Sequence, residues 1–372
     1  AIGEAMAIIL VAGNSANMPE LFSSVKFLTT GIVAEFPYSS GLHREALFAI
    51  GLVLFVFIMI INLILNGILK KGGKKEKAAT NSLTKKRRRV SDIVLKSLIF
   101  LSSGIVVALT LGMIIYIAVK GTEGMSLNFL TTPAFSYPYE NYGVLGNIIN
   151  TLYLVVITLI IATPVGVGAA IYLTEYAKQG RLTRIIEFTT ETLAGIPSII
   201  YGLFGSVFFY NIFKVNYSLL TGALTLSIMV LPTIIRTTQE AIKTVPMGYR
   251  EGAVGLGAPK WHTIRTVVLP SCIDGILTSV ILSIGRIVGE SAALIFTAGI
   301  AAEVGINSLG DIFGKVMNQG GSLTVQLYQY AQRGGAEMKY AFSTALVLLV
   351  TVLIINICAK LVAYRIRKKR SV

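Results

Sequence analysis

Charged residues are scarce in this sequence. Asp, Glu, Lys and Arg make up only 14% of its 372 residues, whereas they make up about 25% of an ordinary soluble domain. Apolar residues make up 54%, and the mean hydropathy is +0.72. The shortage of charge therefore excludes an ordinary soluble domain and indicates a membrane protein.

Groups that carry enzyme chemistry are also scarce. The two cysteines, Cys272 and Cys358, lie far apart in apolar segments, and this spacing excludes a disulfide framework or a cysteine-based metal site. The G-x4-G-K-[ST] phosphate loop is missing, since the nearest string, GDIFGKV at 310–316, has the wrong spacing. The sequence therefore predicts a chain that is not an enzyme and holds no metal or nucleotide cofactor of its own.

Basic charge is plentiful but concentrated. The formal net charge is +15, and 10 of the 33 Lys and Arg residues lie at 70–89, with five more after Tyr364. Both runs adjoin long apolar stretches, as cytoplasmic flanks of membrane spans do, because Lys and Arg resist translocation and attract anionic lipid headgroups. This placement favours a lipid bilayer, and not nucleic acid, as the partner of the basic residues.

Long apolar stretches predict seven transmembrane helices, because a bilayer core of about 30 Å needs about 20 apolar residues as helix. The predicted spans are 46–66, 93–119, 148–173, 193–213, 218–235, 272–299 and 340–363. With the basic linker 70–92 in the cytoplasm, the loops 120–147 and 300–339 are external and the C-terminus is cytoplasmic. We therefore expect an all-α polytopic membrane protein with one span before the linker and six after it.

The beginning of the chain is repeated near its end. The stretch IGEAMAIILVAG at 2–13 aligns without gaps with VGESAALIFTAG at 288–299, so that Glu4 matches Glu290. Repeats of whole helical bundles are common in transporters, because two such halves can line one pathway. The repeat indicates two copies of one membrane unit.

A second, weaker match extends the repeat. Residues 42–62 align without gaps with 336–356, ending in Ile-Ile-Asn in both places. We therefore expect residues 1–69 to be the C-terminal remnant of a first copy, whose front is absent from this sequence. Residues 70–92 would be a linker, and 93–372 a complete six-span unit.

The polar stretch 240–277 carries a spaced signature. It follows the pattern E-A-A-x3-G-x9-I-x-L-P, with glycine and valine as mild departures, at Glu251, Gly252, Ala253, Gly257, Val267, Leu269 and Pro270. This resembles the cytoplasmic coupling loop of ABC importer permeases. We expect a short helix at 249–256, ended by Gly257, that lies in a groove of another protein. The alternative is an ordinary solvated loop.

Two charges lie deep in the predicted span 272–299. Arg286 and Glu290 are four residues apart and hence lie on one helix face. A charged side chain at the centre of a membrane costs about 2.5–3.5 kcal/mol on insertion scales. They either form a mutual ion pair or line a polar pathway for a charged solute. Arg236, at the inner end of span 218–235, is an interfacial residue or a further part of that pathway.

Four segments together resemble the phosphate ABC importer permeases: GIPSIIYGLFG, LPTIIRTTQEAI, the coupling loop and SIGRIVGESAALIFTAG. Residues from about 90 onward resemble the A-type permease, and 1–69 resemble the tail of its C-type partner. The resemblance implies a type I ABC importer permease with a six-helix, MetI-like core and one extra N-terminal transmembrane helix. It assigns phosphate passage to Arg286, Glu290 and Glu4.

The resemblance also implies partners. A separate ATPase dimer, which holds ATP and Mg, would bind loop 240–264. An extracytoplasmic phosphate-binding protein would deliver the solute, and a C-type permease or second copy would complete the pathway in a bacterial or archaeal-type cytoplasmic membrane. The alternatives are a permease for sulfate, molybdate or an amino acid, a gradient-driven transporter, and a membrane scaffold. A gradient-driven transporter would carry charges in several spans, whereas most spans here carry none.

Overall fold

The computed structural model of the chain describes residues 5–17, 23–72, 90–134, 142–178, 180–301 and 314–368. Within them the fold is helical. The α-helices used below are α1 (Ala5–Ala12), α2 (Leu28–Glu35), α3 (Gly41–Gly72), α4 (Val90–Thr122), α5 (Leu127–Thr131), α6 (Leu145–Ile171), α7 (Arg181–Ala194), α8 (Ser198–Val207), α9 (Leu219–Thr244), α10 (Met247–Gly255), α11 (Lys260–Thr263), α12 (Leu269–Ser271), α13 (Ile273–Gly289), α14 (Ala292–Thr297), α15 (Leu323–Arg333) and α16 (Met338–Lys368). Turns of π-helix extend α6 and α8 and join α11 to α12, at Tyr172–Tyr176, Phe208–Ile212 and Ile264–Val268.

Five helices are long and apolar enough to cross a membrane, and two bent helix pairs raise the number to as many as seven. The continuous ones are Gly41–Ile64, Val94–Thr122, Leu145–Tyr176, Leu219–Thr244 and Gly335–Arg365. The predicted all-α polytopic architecture is therefore confirmed, and five predicted spans are single helices.

Two predicted spans are wrong as single helices. Residues 193–213 do not form one rod, because α7 and α8 meet at 107° where Pro197 precedes α8 and cannot continue a helix. Within 272–299 the helix α13 ends at Gly289, and Glu290 is extended, with φ −80° and ψ 129°. The helix α14 then begins at Ala292. Arg286 and Glu290 therefore do not share one helix face.

The predicted external loop 300–339 contains a further helix. Helix α15 is only 11 residues long, yet six of its side chains are buried. It packs against α16 and against the start of α6, where the side-chain amides of Asn147 and Asn150 donate to the Gly321 carbonyl just before it. The segment is therefore part of the packed bundle, although its mean hydropathy gives no sign of this.

Helices α6, α9 and α13 form the centre of the bundle. Small residues allow them to approach closely, as is usual between membrane helices: a Cβ placed on Gly166 of α6 would lie 2.6 Å from Cγ2 of Ile234 on α9. Helix α4, in contrast, exposes its apolar side chains along its length and packs against α16. The exposed apolar surface of α4 suits contact with lipid.

The backbone of the N-terminal helices matches that of the C-terminal ones at the aligned positions. Gly13 follows α1 with φ +75°, and its counterpart Gly299 follows α14 with φ +84°. Gly41 begins α3 with φ +53°, and Gly335 precedes α16 with φ +55°. Glycine adopts this left-handed backbone conformation readily. A structural repeat would show the same conformation at both positions of each pair, as is found here.

Candidate functional site

A cavity of about 770 Å³ lies where the N-terminal helices meet two breaks between consecutive helices. Its walls are α1 and α3, the turn between α7 and α8, and the break between α13 and α14. Arg286 and Glu290 both line it. Backbone outside regular helix is tolerated at membrane depth only where it is packed in protein or lines a cavity, and both breaks lie in this wall.

Arg286 lies in the last turn of α13 and is half-buried. Its Nη1 lies 3.5 Å from Oγ1 of Thr233 on α9, a long contact that orients the guanidinium. A guanidinium offers five N–H donors in a planar fork, which matches the spacing of two oxygens on an oxyanion. The cavity therefore has a cationic donor on one wall.

Glu290 is fixed by contacts with two helices. Its Oε1 accepts the backbone N–H of Ala293 at 3.0 Å, in the first turn of α14. Its backbone carbonyl accepts the Thr324 hydroxyl of α15 at 2.7 Å. The break in the helix thus places a carboxylate one turn away from Arg286 on the same cavity wall.

The predicted mutual ion pair is not among the salt bridges formed between the described residues. Arg286 and Glu290 line the same cavity, but their side chains do not form a salt bridge with each other. The lining of this cavity therefore includes a guanidinium, which donates hydrogen bonds, and a carboxylate, which accepts them.

The other predicted pathway residues lie elsewhere. Arg236 lines a separate cavity of about 210 Å³, where its Nη2 lies 3.2 Å from Oε1 of Glu191 and both side chains are about half exposed. Arg236 is three residues after Thr233, towards α10. Glu4 lies outside the described residues; its neighbours Ala5 and Met6 line the larger cavity.

The predicted short helix at 249–256 is found as α10, Met247–Gly255. It contains Glu251, Gly252 and Ala253, and none of its residues is buried. Gly257 follows with φ +85°, as expected of a residue that ends a helix. The chain then continues through α11 to α12, which holds Leu269 and Pro270.

The surface of α10 and the following turn is apolar as well as exposed. Met247, Tyr249, Val254, Leu256 and Trp261 all expose more than half of their surface. Exposed apolar patches on helices mark contacts with other proteins or with membrane. The arrangement fits a helix that is presented to a partner.

A clamp at the base of α10 has no signal in the sequence. Arg250 donates from Nε and Nη2 to Oε1 of Glu175, at 3.1 and 2.8 Å. It also donates to the carbonyls of Val245 and Ile242, at 2.7 and 3.0 Å, at the end of α9. The two charged residues are 75 positions apart in loops that appear solvated in sequence, so pattern reasoning misses the pair.

Comparison with known proteins places residues 162–372 in the family described as "Binding-protein-dependent transport system inner membrane component". The probable ABC transporter permease protein YqgI of Bacillus subtilis is 36% identical over 213 residues, 57% of this chain and 72% of that protein. The phosphate transport system permease protein PstA of Pasteurella multocida is 34% identical over 247 residues, 65% of this chain and 83% of that protein. PstA of Yersinia pestis is 33% identical over 247 residues, 65% and 80% respectively. The MetNI methionine ABC transporter in an inward-facing conformation is 20% identical, with a TM-score of 0.43 over 61% of this chain and 94% of that one.

Proposed function

This chain belongs to the family of binding-protein-dependent transport system inner membrane components, and we propose that it lines the translocation pathway of an ATP-driven importer of inorganic phosphate. Proteins of this family are transport subunits and not enzymes. The cavity that holds Arg286 and Glu290 is the observation that carries the proposal. The PstA relatives, 33–34% identical, support phosphate as the solute.

Arg286 is the proposed contact for the oxyanion. It lies 13 residues after Ile273, about 20 Å along the helix axis from the start of α13. With the start of α13 taken as the inner edge of a hydrocarbon core of about 30 Å, the guanidinium would lie well inside that core. Two parallel N–H···O bonds to phosphate would offset part of the cost of moving the anion out of water.

Glu290 is the proposed discriminator. Inorganic phosphate at neutral pH keeps at least one proton, so it can donate a hydrogen bond to a carboxylate. Sulfate has no proton to donate, and its charge is repelled by an ionised carboxylate. A carboxylate beside the Arg286 guanidinium therefore favours a protonated oxyanion over an unprotonated one.

The proposed assembly follows from α10. A separate ATPase dimer, carrying ATP and Mg, would receive the exposed apolar side of α10 in a groove, and an external phosphate-binding protein would deliver the solute at the opposite end. A C-type permease or second copy would complete the pathway together with residues 1–69, which the linker 70–92 joins to residues 93–372. With α10 on the cytoplasmic side, the linker and the C-terminus would be cytoplasmic as well.

Phosphate uptake by the assembled transporter tests the proposal. In proteoliposomes that contain the complete complex and binding protein, Arg286→Gln should lower ATP-driven phosphate uptake by about tenfold or more, because charge-assisted hydrogen bonds contribute about 1.5–3 kcal/mol. Arg236→Gln is the matched control and should keep most of the uptake, because Arg236 lies in another cavity. Uptake by Arg286→Gln at the level of the unchanged complex would defeat the proposal.

Selectivity gives an independent measurement. Glu290→Gln should lower phosphate uptake less than it lowers the preference for phosphate over sulfate, because an amide still accepts a hydrogen bond but no longer repels a dianion. Competition of labelled phosphate by unlabelled sulfate measures this preference. An unchanged complex that takes up sulfate as well as phosphate would show that the solute class is broader than proposed.

A further inference from the structure

The start of α15 contains a chain of hydroxyl groups that leads to Glu290. Ser322 caps α15, and its Oγ accepts the backbone N–H of Val325 at 3.3 Å. The hydroxyl oxygens of Ser322 and Thr324 lie 2.8 Å apart, and Thr324 Oγ1 lies 2.7 Å from the backbone carbonyl oxygen of Glu290. Ser322 and Thr324 are both buried, so bulk water does not compete for these groups.

The direction of this chain follows from the fact that each hydroxyl has a single proton. A carbonyl oxygen only accepts hydrogen bonds, so the Thr324 hydroxyl donates its proton to the Glu290 carbonyl. Thr324 then accepts a hydrogen bond from Ser322, which in turn accepts one from the Val325 N–H. The chain therefore has one arrangement of protons, and its last acceptor is the Glu290 carbonyl.

Helix α6 holds the start of α15 in place. The side-chain amides of Asn147 and Asn150 donate to the Gly321 carbonyl, at 3.0 and 3.2 Å. The hydroxyl of Thr151 accepts the backbone N–H of Leu323 at 3.0 Å. All three side chains of α6 are at most 1% exposed. The hydroxyl chain therefore belongs to a segment that is fixed to a helix of the bundle centre.

The Glu290 carbonyl needs this partner because the helix is broken there. In a continuous helix the carbonyl would accept the N–H of Leu294, four residues further on. Glu290 is extended instead, with ψ 129°, and the last carbonyls of a helix have no partner within it. The Thr324 hydroxyl supplies the missing donor, so the start of α15 stabilises the break between α13 and α14.

Glu290 is thus held at two points. Its carboxylate accepts the backbone N–H of Ala293 in α14 at 3.0 Å, and its backbone carbonyl accepts the Thr324 hydroxyl of α15. Without the second bond, the carboxylate would stay attached to α14, but the position of that helix start relative to α13 would be less fixed. Arg286 lies in the last turn of α13, so the bond to Thr324 helps to set the position of the carboxylate relative to the guanidinium.

We propose that Thr324 is a positioning residue for the Glu290 carboxylate, and that its hydroxyl maintains the preference of the pathway for a protonated oxyanion. The inference rests on the proposed function, in which Glu290 discriminates phosphate from sulfate, and it extends the site to α15. Thr324 is not among the described residues that line the Arg286 cavity. Its effect on the solute is therefore transmitted through the backbone of Glu290 and not by direct contact.

Displacement of labelled inorganic phosphate by unlabelled sulfate tests this role. The complete complex is measured in nanodiscs without the binding protein, so that the selectivity of the binding protein does not hide that of the pathway. Thr324→Val keeps the shape of the side chain and removes the hydroxyl. We expect it to lower the preference for phosphate over sulfate by about fivefold, because an ordinary hydrogen bond shifts an equilibrium by about that factor.

Two variants control for packing. Thr324→Ser keeps the hydroxyl and should keep the preference. Thr344→Val also removes a buried hydroxyl, but one that donates to the Tyr340 carbonyl of its own helix at 2.7 Å, and it should keep the preference as well. If the Thr324→Val complex does not assemble, Thr324→Ala compared with Thr324→Ser makes the same test of the hydroxyl.

A double change separates positioning of the carboxylate from a general structural effect. Glu290→Gln already removes the carboxylate charge, so Thr324→Val added to it should not lower the preference further. A merely structural Thr324 would lower the preference in both backgrounds, and that result would overturn the positioning role.

Two other results would overturn the positioning role and leave the proposed function standing. The first is a Thr324→Val complex that keeps the full preference while Glu290→Gln loses it. The second is a Thr324→Ser complex that loses the preference as completely as Thr324→Val does. An unchanged complex that neither binds nor imports phosphate would overturn the proposed function as well.

Discussion

We expect the clamp between Arg250 and Glu175 to couple the motion of α10 to the motion of the membrane helices. Glu175 lies in the π turn that ends α6, and Arg250 lies in α10, so the pair joins the proposed ATPase-binding helix to a helix of the bundle centre. Glu175→Gln keeps the shape of the side chain but removes its charge. We expect the altered transporter to hydrolyse more ATP for each phosphate imported, because motion of α10 is then transmitted less completely to α6.

The size of the effect follows from burial. The side chains of Arg250 and Glu175 are only 15% and 11% exposed, and removing one partner of a buried pair costs about 3–5 kcal/mol, because the other charge stays in a poorly solvated place. Arg250 keeps its hydrogen bonds to the Ile242 and Val245 carbonyls in Glu175→Gln. The decrease in the free energy of unfolding should therefore lie at the lower end of this range.

Thermal unfolding of the purified complex and the ratio of ATP hydrolysed to phosphate imported are the two measurements. The matched control is Glu191→Gln, which breaks the exposed pair with Arg236 and should change stability by less than about 1 kcal/mol. The double change Glu175→Gln with Arg250→Met should cost less than the sum of the single changes, because no charge is left unpaired. The proposed role of the clamp would be refuted if the Glu175→Gln and Glu191→Gln complexes had the same thermal stability and the same ratio of ATP hydrolysed to phosphate imported.

Two further predictions concern packing and burial. Gly202→Val should lower phosphate uptake, because even a Cβ at Gly202 would lie 2.8 Å from the Cα of Ala293 and displace the start of α14. The control is Gly168→Val, where a Cβ meets nothing within 4 Å. Equal phosphate uptake by the two variants would contradict this reasoning. Lys315→Met should raise the unfolding midpoint relative to Lys214→Met, because Lys315 Nζ is buried and has no hydrogen-bond partner among the residues that the structure describes. Burial lowers the pKa of Lys315 below 10.5, so the folded protein loses that proton before the unfolded chain does. The unchanged protein should therefore gain stability as pH rises towards 10.5, and the advantage of Lys315→Met should shrink; a constant advantage would contradict the burial argument.

Hydropathy predicts the continuous spans well, because in each of them one apolar run of the sequence forms one unbroken helix. It does not predict the breaks at Pro197 and Glu290, since the apolar run continues through both and only the backbone is interrupted. It also misses α15, whose burial depends on side chains packed against α6 and α16 and not on a long apolar stretch.

The candidate site was predictable in part. The cost of charge in a membrane predicts that Arg286 and Glu290 matter, but helical spacing gives the wrong reason for their proximity, because the helix ends between them. Thr233 and the clamp partner Glu175 have no local pattern that distinguishes them from other polar residues. Contacts between distant parts of the chain determine their positions, and single-sequence patterns do not describe such contacts.

The break at Glu290 explains how two charges can be kept at this depth without neutralising each other. Arg286 lies in the last turn of α13, where unpaired carbonyls favour a cation, and the Glu290 carboxylate accepts the Ala293 N–H at the start of α14. A continuous helix would supply neither a carbonyl end nor an amide end, and the two side chains would then need each other as partners. By ending one helix and starting another, the chain gives each charge a backbone environment of its own. In the proposed function, the guanidinium and the carboxylate then contact a passing oxyanion without first breaking a salt bridge between them.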